Sequence, residues 1–391
     1  MPGKSKFEVK ELVMPVYLPA VLFSIGEAGL IPIIPASAEH LGADLATAGI
    51  IAGLVMFGTV LADLPAARLV NRLGERRSMI AAAFVAATGI LFSVFATNIF
   101  MLGLGVFIIG GTASVFGLAR HSYITETVPF EFRARSLSIL GGMFRLGSFL
   151  GPLIGAGVIA WFGIESVYWM AVVFCGLAGV TLLTTKPEAM ADTPPNIAGG
   201  VWKVAVAERH KLLTLGTASG ILALARTARN IGLPLWALFI GLPVEQAALL
   251  IGLAGALDFA LFYVGGKAID KRGRRFAAVP TLLAMGIGLG LIGLSTDAWS
   301  FLAVAIVLSV ANAMGAGLVM VIGADLAPVG ARNEFLAAYR IFLDGGIAAA
   351  APILSVLTAT ISLAAGLTTI GGLSVFGAWL MWRYLPHHGI K

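Results

Sequence analysis

Long apolar stretches alternate with short polar turns along almost the whole chain. Twelve of them reach the length of about 20 residues at which a helix crosses the hydrocarbon core of a bilayer. They cover residues 12–35, 46–69, 78–96, 99–127, 136–161, 165–184, 212–240, 246–268, 276–295, 298–327, 335–361 and 363–386. A polar stretch with Pro187, Pro194 and Pro195 separates the sixth span from the seventh. The pattern predicts an all-α integral membrane protein in two six-helix bundles, 1–185 and 212–391, joined by a cytoplasmic linker over 186–211.

The two halves are copies of each other. Sliding the chain against itself by 199 residues superimposes Gly74 on Gly273, Arg76 on Arg275, Arg72 on Lys271, Glu126 on Asp325, Pro129 on Pro328, Arg133 on Arg332 and Gly147 on Gly346. No insertion is needed between residues 72 and 346. Six spans return the chain to its starting side, so the repeats are parallel, related by an axis along the membrane normal.

Composition excludes a soluble protein: 59% of the 391 residues are hydrophobic, 12% are charged, and the mean hydropathy is +0.95. The formal charge of +6 would permit nucleic acid as a partner, but its distribution points elsewhere. With the N-terminus in the cytoplasm, every Lys and Arg outside the membrane falls on the cytoplasmic side, and the outer loops hold only acids such as Glu39, Asp44, Glu165, Glu245 and Asp297. This is the positive-inside pattern, with both termini cytoplasmic and the bilayer rather than nucleic acid as the partner. The short Ala/Gly-rich loops and the absence of an N-x-[ST] acceptor fit a bacterial inner membrane.

The turn between the second and third spans carries a motif in each half. In the second half it reads Gly266-Lys267-Ala268-Ile269-Asp270-Lys271-Arg272-Gly273-Arg274-Arg275. The first half keeps Arg72, Gly74, Arg76 and Arg77, but has Ala67, Asn71 and Glu75 where the pattern asks for glycine, aspartate and a base. An acid followed seven residues later by Arg recurs as Glu126 with Arg133 and Asp325 with Arg332. The fifth span carries Gly147, Gly151, Pro152 and Gly155, in which proline bends a helix and glycine allows close approach.

These motifs resemble those of the major facilitator superfamily, and the glycine-proline stretch resembles the signature of its twelve-span drug/proton antiporter group. The match departs at Ser138 and Ala156, where glycines belong, and no arginine stands at 107–112 in the fourth span. The resemblance implies the major facilitator fold, a monomer, a central cavity lined by the first, fourth, seventh and tenth spans, and alternating access. The acids and bases of the turn motif are then expected to form a latch.

Setting aside groups within a few positions of a span's end, nine charges lie inside the spans: Glu27, Asp63, Arg120, Arg145, Arg226, Arg229, Asp258, Arg340 and Asp344. Facing lipid together they would cost on the order of 25 kcal/mol, so they must be paired or hydrated. Counting about 1.5 Å per residue puts Glu27 and its repeat equivalent Arg226 at roughly equal depth. Arg229 is one turn further along. By resemblance these three belong to the substrate cavity, with Glu27 as the proton-coupling acid and Asp344 as the next candidate. Glu27 could alternatively only neutralise an arginine across the cavity. Depth also matches Asp63 with Arg340 and Arg145 with Asp258, pairs expected between domains, although Arg340 and Asp344 are spaced to satisfy each other on one helix. Arg120, near the cytoplasmic boundary, can snorkel.

Other chemistry has no pattern to support it. Cys175 is the only cysteine, the five histidines form no ligand cluster, no phosphate-binding loop occurs, and no metal or cofactor is expected. The expectation is therefore a secondary active transporter, not an enzyme, exporting a small organic molecule in exchange for protons. Metabolite or sugar-like uptake by symport or facilitated diffusion is the alternative within transport; a transporter-like sensor or assembly partner is the alternative outside it.

Overall fold

The computed structural model describes residues 9–185, 200–328 and 330–386, leaving aside the side chains at 9, 64, 130, 134, 266–272 and 333. Its regular elements are all helical. After a short 3-10 and π turn come α1 (Leu18–Leu30), α2 (Ile34–His40), α3 (Leu45–Leu73), α4 (Glu75–Val94), α5 (Ile99–Thr127), α6 (Phe130–Phe162) and α7 (Glu165–Leu183). The second half contains two short helices, α8 (Val201–Ala207) and α9 (Arg209–Lys211). It continues with α10 (Thr217–Phe239), α11 (Val244–Arg272), α12 (Arg274–Leu291), α13 (Ala298–Met314), α14 (Leu318–Leu326), α15 (Arg332–Thr360) and α16 (Leu363–Tyr384).

Eleven helical stretches among the described residues are long and apolar enough to cross a membrane. The remaining expected span, α10 with the π turn Leu212–Gly216 before it, is long enough, but Arg226 and Arg229 lower its hydropathy. It is nonetheless the most enclosed helix of its half, with buried residues around its whole circumference, as suits a span that carries charge away from lipid.

The chain forms two compact units. One contains residues 1–42, 54–192 and 244–252; the other contains 43–53, 193–243 and 253–391. The first turns of α3 and α11 thus each belong to the unit of the other half. In the first unit α1 lies between α6 and α7, and α4 between α5 and α7; in the second, α10 lies between α15 and α16, and α12 between α13 and α16. These are the same neighbours under the 199-residue shift.

Local chemistry sets the corners. Gly74 and Gly273 precede α4 and α12 with φ of +81° and +89°, a conformation a Cβ would strain, which explains a glycine at the same place in both copies. Asn98 and Asp297, also 199 apart, cap α5 and α13 through their side chains. Close helix approach uses glycine too. A Cβ on Gly151 would lie 2.6 Å from the Ile25 carbonyl oxygen of α1, and one on Gly346 would collide with the Gly220 carbonyl of α10. Of the linker, residues 186–199 lie outside the described residues, as do the side chains of Gly266, Asp270 and Lys271.

Candidate functional site

In the first unit the site is built around α1. Gly147 and Gly151 of α6 meet the backbone of α1 between Ser24 and Gly29, while Ala171 and Cys175 of α7 meet it at Gly26. Gly155 makes only ordinary contact, and Pro152 sits inside α6 without interrupting it. The glycines let both neighbours approach closely, which fixes α1 at the level of Glu27. Four residues after Glu27 the helix breaks at Ile31–Ile33, ahead of Pro35, before α2 resumes. Glu27 is part-buried, and the charge that acts on it is Arg120 of α5.

Arg120 rests over the ring of Phe144, 5.4 Å from its centroid, and its Nε is buried without a hydrogen-bond partner, as is Ser24 Oγ one turn before Glu27. Phe23 and Phe116 stack with centroids 4.2 Å apart, an apolar layer joining α1 to α5. The depth count along the chain left Arg120 at the boundary and matched Glu27 with an arginine of the other half. The long arginine side chain spans the difference in depth, a reach that residue counting omits.

The second unit places Arg226 and Arg229 on α10, facing α13. Arg226 donates from Nη2 to the Gly315 carbonyl at 2.6 Å, and Arg229, 9% exposed, from Nη2 to Ser309 Oγ at 2.6 Å. Gly315 lies where the tenth span stops being a helix: α13 ends at Met314 and α14 begins at Leu318, after Gly317 with φ of +73°. Arg226 therefore adds a charged donor to a carbonyl that otherwise accepts only the Leu318 amide across the break, at 3.2 Å, and adds positive charge at a helix C-terminus. Sequence reading missed this break, because Gly315 and Gly317 sit in a span already rich in small residues.

Asp63, Asp258 and Arg340 each have a partner within their own unit. Asp63 accepts from Ser114 Oγ, Asp258 accepts from Asn312 Nδ2 at 2.7 Å, and Arg340 Nε lies 3.4 Å from Asp344 Oδ2 on the same helix. Arg145 is part-buried on α6. Asp63 and Arg145 belong to the first unit, Arg340 and Asp258 to the second. In the turn motifs, Arg274 Nε meets Asp325 Oδ2 at 2.7 Å, and Arg76 Nε donates to the Leu182 carbonyl and Thr185 Oγ1 at 2.9 and 3.0 Å. Arg72 and Arg77 are exposed. Outside the spans, the Thr47 hydroxyl and then the Thr47 amide, which donates to Asp44 at 2.8 Å, hold that carboxyl below the usual carboxylate range.

Comparison with known proteins agrees with this architecture. An uncharacterised MFS-type transporter of Mycobacterium tuberculosis is 23% identical over 276 residues, 69% of this chain but only 38% of that protein's length. The class E tetracycline resistance protein of Escherichia coli is 27% identical over 304 residues, 74% of this chain and 69% of that one. Among solved structures, the D-xylose-proton symporter superimposes with a TM-score of 0.76 at 16% identity, covering 97% of this chain and 99% of that one. A peptide transporter POT in complex with sulfate gives 0.77 at 13% identity, covering 98% and 99%. The family model of the Major Facilitator Superfamily matches residues 16–277, and with two six-span repeats, the paired turn motifs and this fold, the chain belongs to the major facilitator superfamily.

Proposed function

We propose that the protein is a secondary active transporter that exports a small organic molecule in exchange for protons, with Glu27 as the coupling carboxylate. The observation that carries this reading is a single acid inside the first span, four residues before a helix break, next to a guanidinium with an unsatisfied buried Nε. A carboxylate among apolar helices costs several kcal/mol unless it is protonated or paired. Arg120 stabilises the ionised form, and occlusion from water favours the neutral one, so a cycle that changes access can load and release a proton. Arg120 takes the modulating role that sequence reading gave to Arg226. The similarity to a tetracycline resistance protein favours an amphipathic organic substrate and the export direction.

Arg226 and Arg229 contribute the polar part of the cavity on the second unit, suited to an anionic or strongly polar substrate group. Asp63 with Arg340 and Arg145 with Asp258 act in this reading as latches for one state of the cycle, and Asp344 competes for Arg340. The deciding experiment is flux in proteoliposomes with an imposed pH gradient. Glu27→Gln should abolish proton-driven transport and retain downhill exchange of the same substrate. A normal response of Glu27→Gln to the gradient would sink the assignment and move it to Asp344.

A further inference from the structure

At the end of α16 the second unit exposes a strip of aromatic rings that terminates in arginines. Phe376, Trp379 and Trp382 follow one another at three-residue steps, 48%, 48% and 54% exposed, and the first two rings stack with centroids 5.6 Å apart. Rings so placed wind along one side of a helix. At the last of them Arg275, the final residue of the turn motif, lies over the Trp382 ring at 5.3 Å. Arg383, exposed, sits 5.6 Å from the Tyr384 ring, and His210 meets Tyr384 edge-on at 5.6 Å.

Two of the neighbouring bases are ion-paired. Lys211 is 2.8 Å from Glu208, and Arg274 is paired with Asp325. Among the described residues no carboxylate pairs with Arg275 or Arg383. The repeat supplies an internal control. Arg76, the equivalent of Arg275, spends its donors on the C-terminal end of α7, at Leu182, Leu183 and Thr185. Its neighbours there are Leu183, Thr184 and Thr185, where the second copy has Trp382, Arg383 and Tyr384. In the second half the guanidinium carbon instead lies over an exposed indole, and the side chain makes no hydrogen bond to the chain among the described residues.

From this we infer that the α12–α16 edge of the second unit is a binding site for an anionic phospholipid. One acyl chain lies along Phe376, Trp379 and Trp382, and the phosphate is held by Arg275 and Arg383. The indole provides both the amphipathic anchor favoured at a membrane interface and the platform that orients Arg275. The guanidinium fork matches a phosphate diester, and unneutralised basic pockets between spans are where acidic headgroups collect. The site stands on the lipid-facing side of α16 and is independent of what the protein transports.

The test uses the full chain reconstituted in phosphatidylcholine vesicles carrying a minor fraction of brominated-chain lipid, either phosphatidylglycerol or phosphatidylcholine, with tryptophan quenching as the readout. Brominated phosphatidylglycerol should quench in excess of brominated phosphatidylcholine, and replacing Trp379 and Trp382 by Phe should remove that excess. Each basic contact near an anionic surface is worth roughly a factor of five, so Arg275→Gln should cut the preference about five-fold, Arg275→Lys should retain most of it, and Arg383→Gln serves if Arg275→Gln does not fold. Equal quenching by the two lipids would overturn the proposal. So would an equal loss in Arg68→Gln, an exposed arginine of the first half, which would make the preference diffuse surface charge. Abolition of the excess by inorganic phosphate would mean a small-anion site, not a lipid site, and would overturn it as well.

Discussion

The two halves of this protein share a backbone and diverge in the chemistry placed on it. Gly74 and Gly273 turn the chain in the same left-handed conformation, yet the next residue is Glu75 in one copy and Arg274 in the other. Arg274 forms an ion pair with Asp325. At the equivalent place Glu75 and Glu126 are both acids, and Ser122 Oγ reaches each of them, at 3.1 and 3.3 Å. One turn is thus tied by opposite charges, while the other holds like charges around a hydroxyl. The helix breaks are also exchanged. The first half interrupts its first span after Glu27 and keeps its fourth span, α5, continuous through the Phe23–Phe116 stack. The second half keeps α10 continuous and breaks its fourth span at Gly315, where Arg226 donates to the carbonyl. Gene-level symmetry therefore supplies the frame, and single substitutions decide which helix carries polar backbone into the membrane.

The largest effect on stability is expected where the break and its cap are separated. Arg226→Met removes the charged donor from the Gly315 carbonyl and leaves it only the Leu318 amide, a loss of about 1–3 kcal/mol for a hydrogen bond from a charged group. A melt in detergent should show it as a clear drop, with Arg226→Lys intermediate. Glu27→Gln, at the equivalent position of the first half, caps nothing and should melt close to the parent. If the two variants melt alike, Arg226 is not holding the broken span.

A smaller effect separates the two turns. Arg274→Gln breaks a pair whose side chains are 29% and 24% exposed, costing on the order of 1 kcal/mol. Glu75→Arg should move the first half in the opposite direction by giving Glu126 a basic neighbour, with a gain of a few tenths of a kcal/mol because Glu126 is exposed. The gain should fade in high salt. Destabilisation by Glu75→Arg would mean that the Ser122 bridge, not the charge sign, organises that turn.

How much of this was legible beforehand follows the physics of each feature. Spans, repeat and turn motifs depend on hydropathy and on residues at fixed spacing, and the sequence displays both. The seventh span was legible by length although its two arginines depress its hydropathy. The role of Arg226 was not, because the break at Gly315 depends on packing between α10 and α13 and leaves no distinct mark among so many glycines. Arg120 was passed over because depth counted along the backbone ignores side-chain reach. Arg76 and Arg275 align perfectly in the repeat and still act differently, since their surroundings are set by residues over a hundred positions away, Leu183 and Thr185 in one half and Trp382 and Tyr384 in the other.

The smallest expected difference lies at the caps, where the two copies differ in a single titratable group. Asn98 accepts the Met101 amide at 2.9 Å. Asp297 accepts the Ser300 amide at 3.1 Å, the Ser300 hydroxyl at 2.9 Å and the Trp299 amide at 2.8 Å. The bonds from Ser300 and then from Trp299 hold the Asp297 carboxyl below its ordinary value of 3.8. A depressed folded value means the ionised cap stabilises the start of α13 at every pH above that ordinary value, and the contribution is lost as the pH falls through the lower, folded value. The window therefore lies on the acid side of 3.8, and physiological pH leaves the cap intact. Hydrogen exchange at the Trp299 and Ser300 amides, corrected for the intrinsic rate, should lose protection on acidification, whereas the Met101 amide under the neutral Asn98 should not. Asp297→Asn should keep the cap and remove the pH dependence, making the second copy behave like the first. If protection at Ser300 falls with acid in Asp297→Asn as well, the loss comes from elsewhere in the second unit and the cap is not its cause.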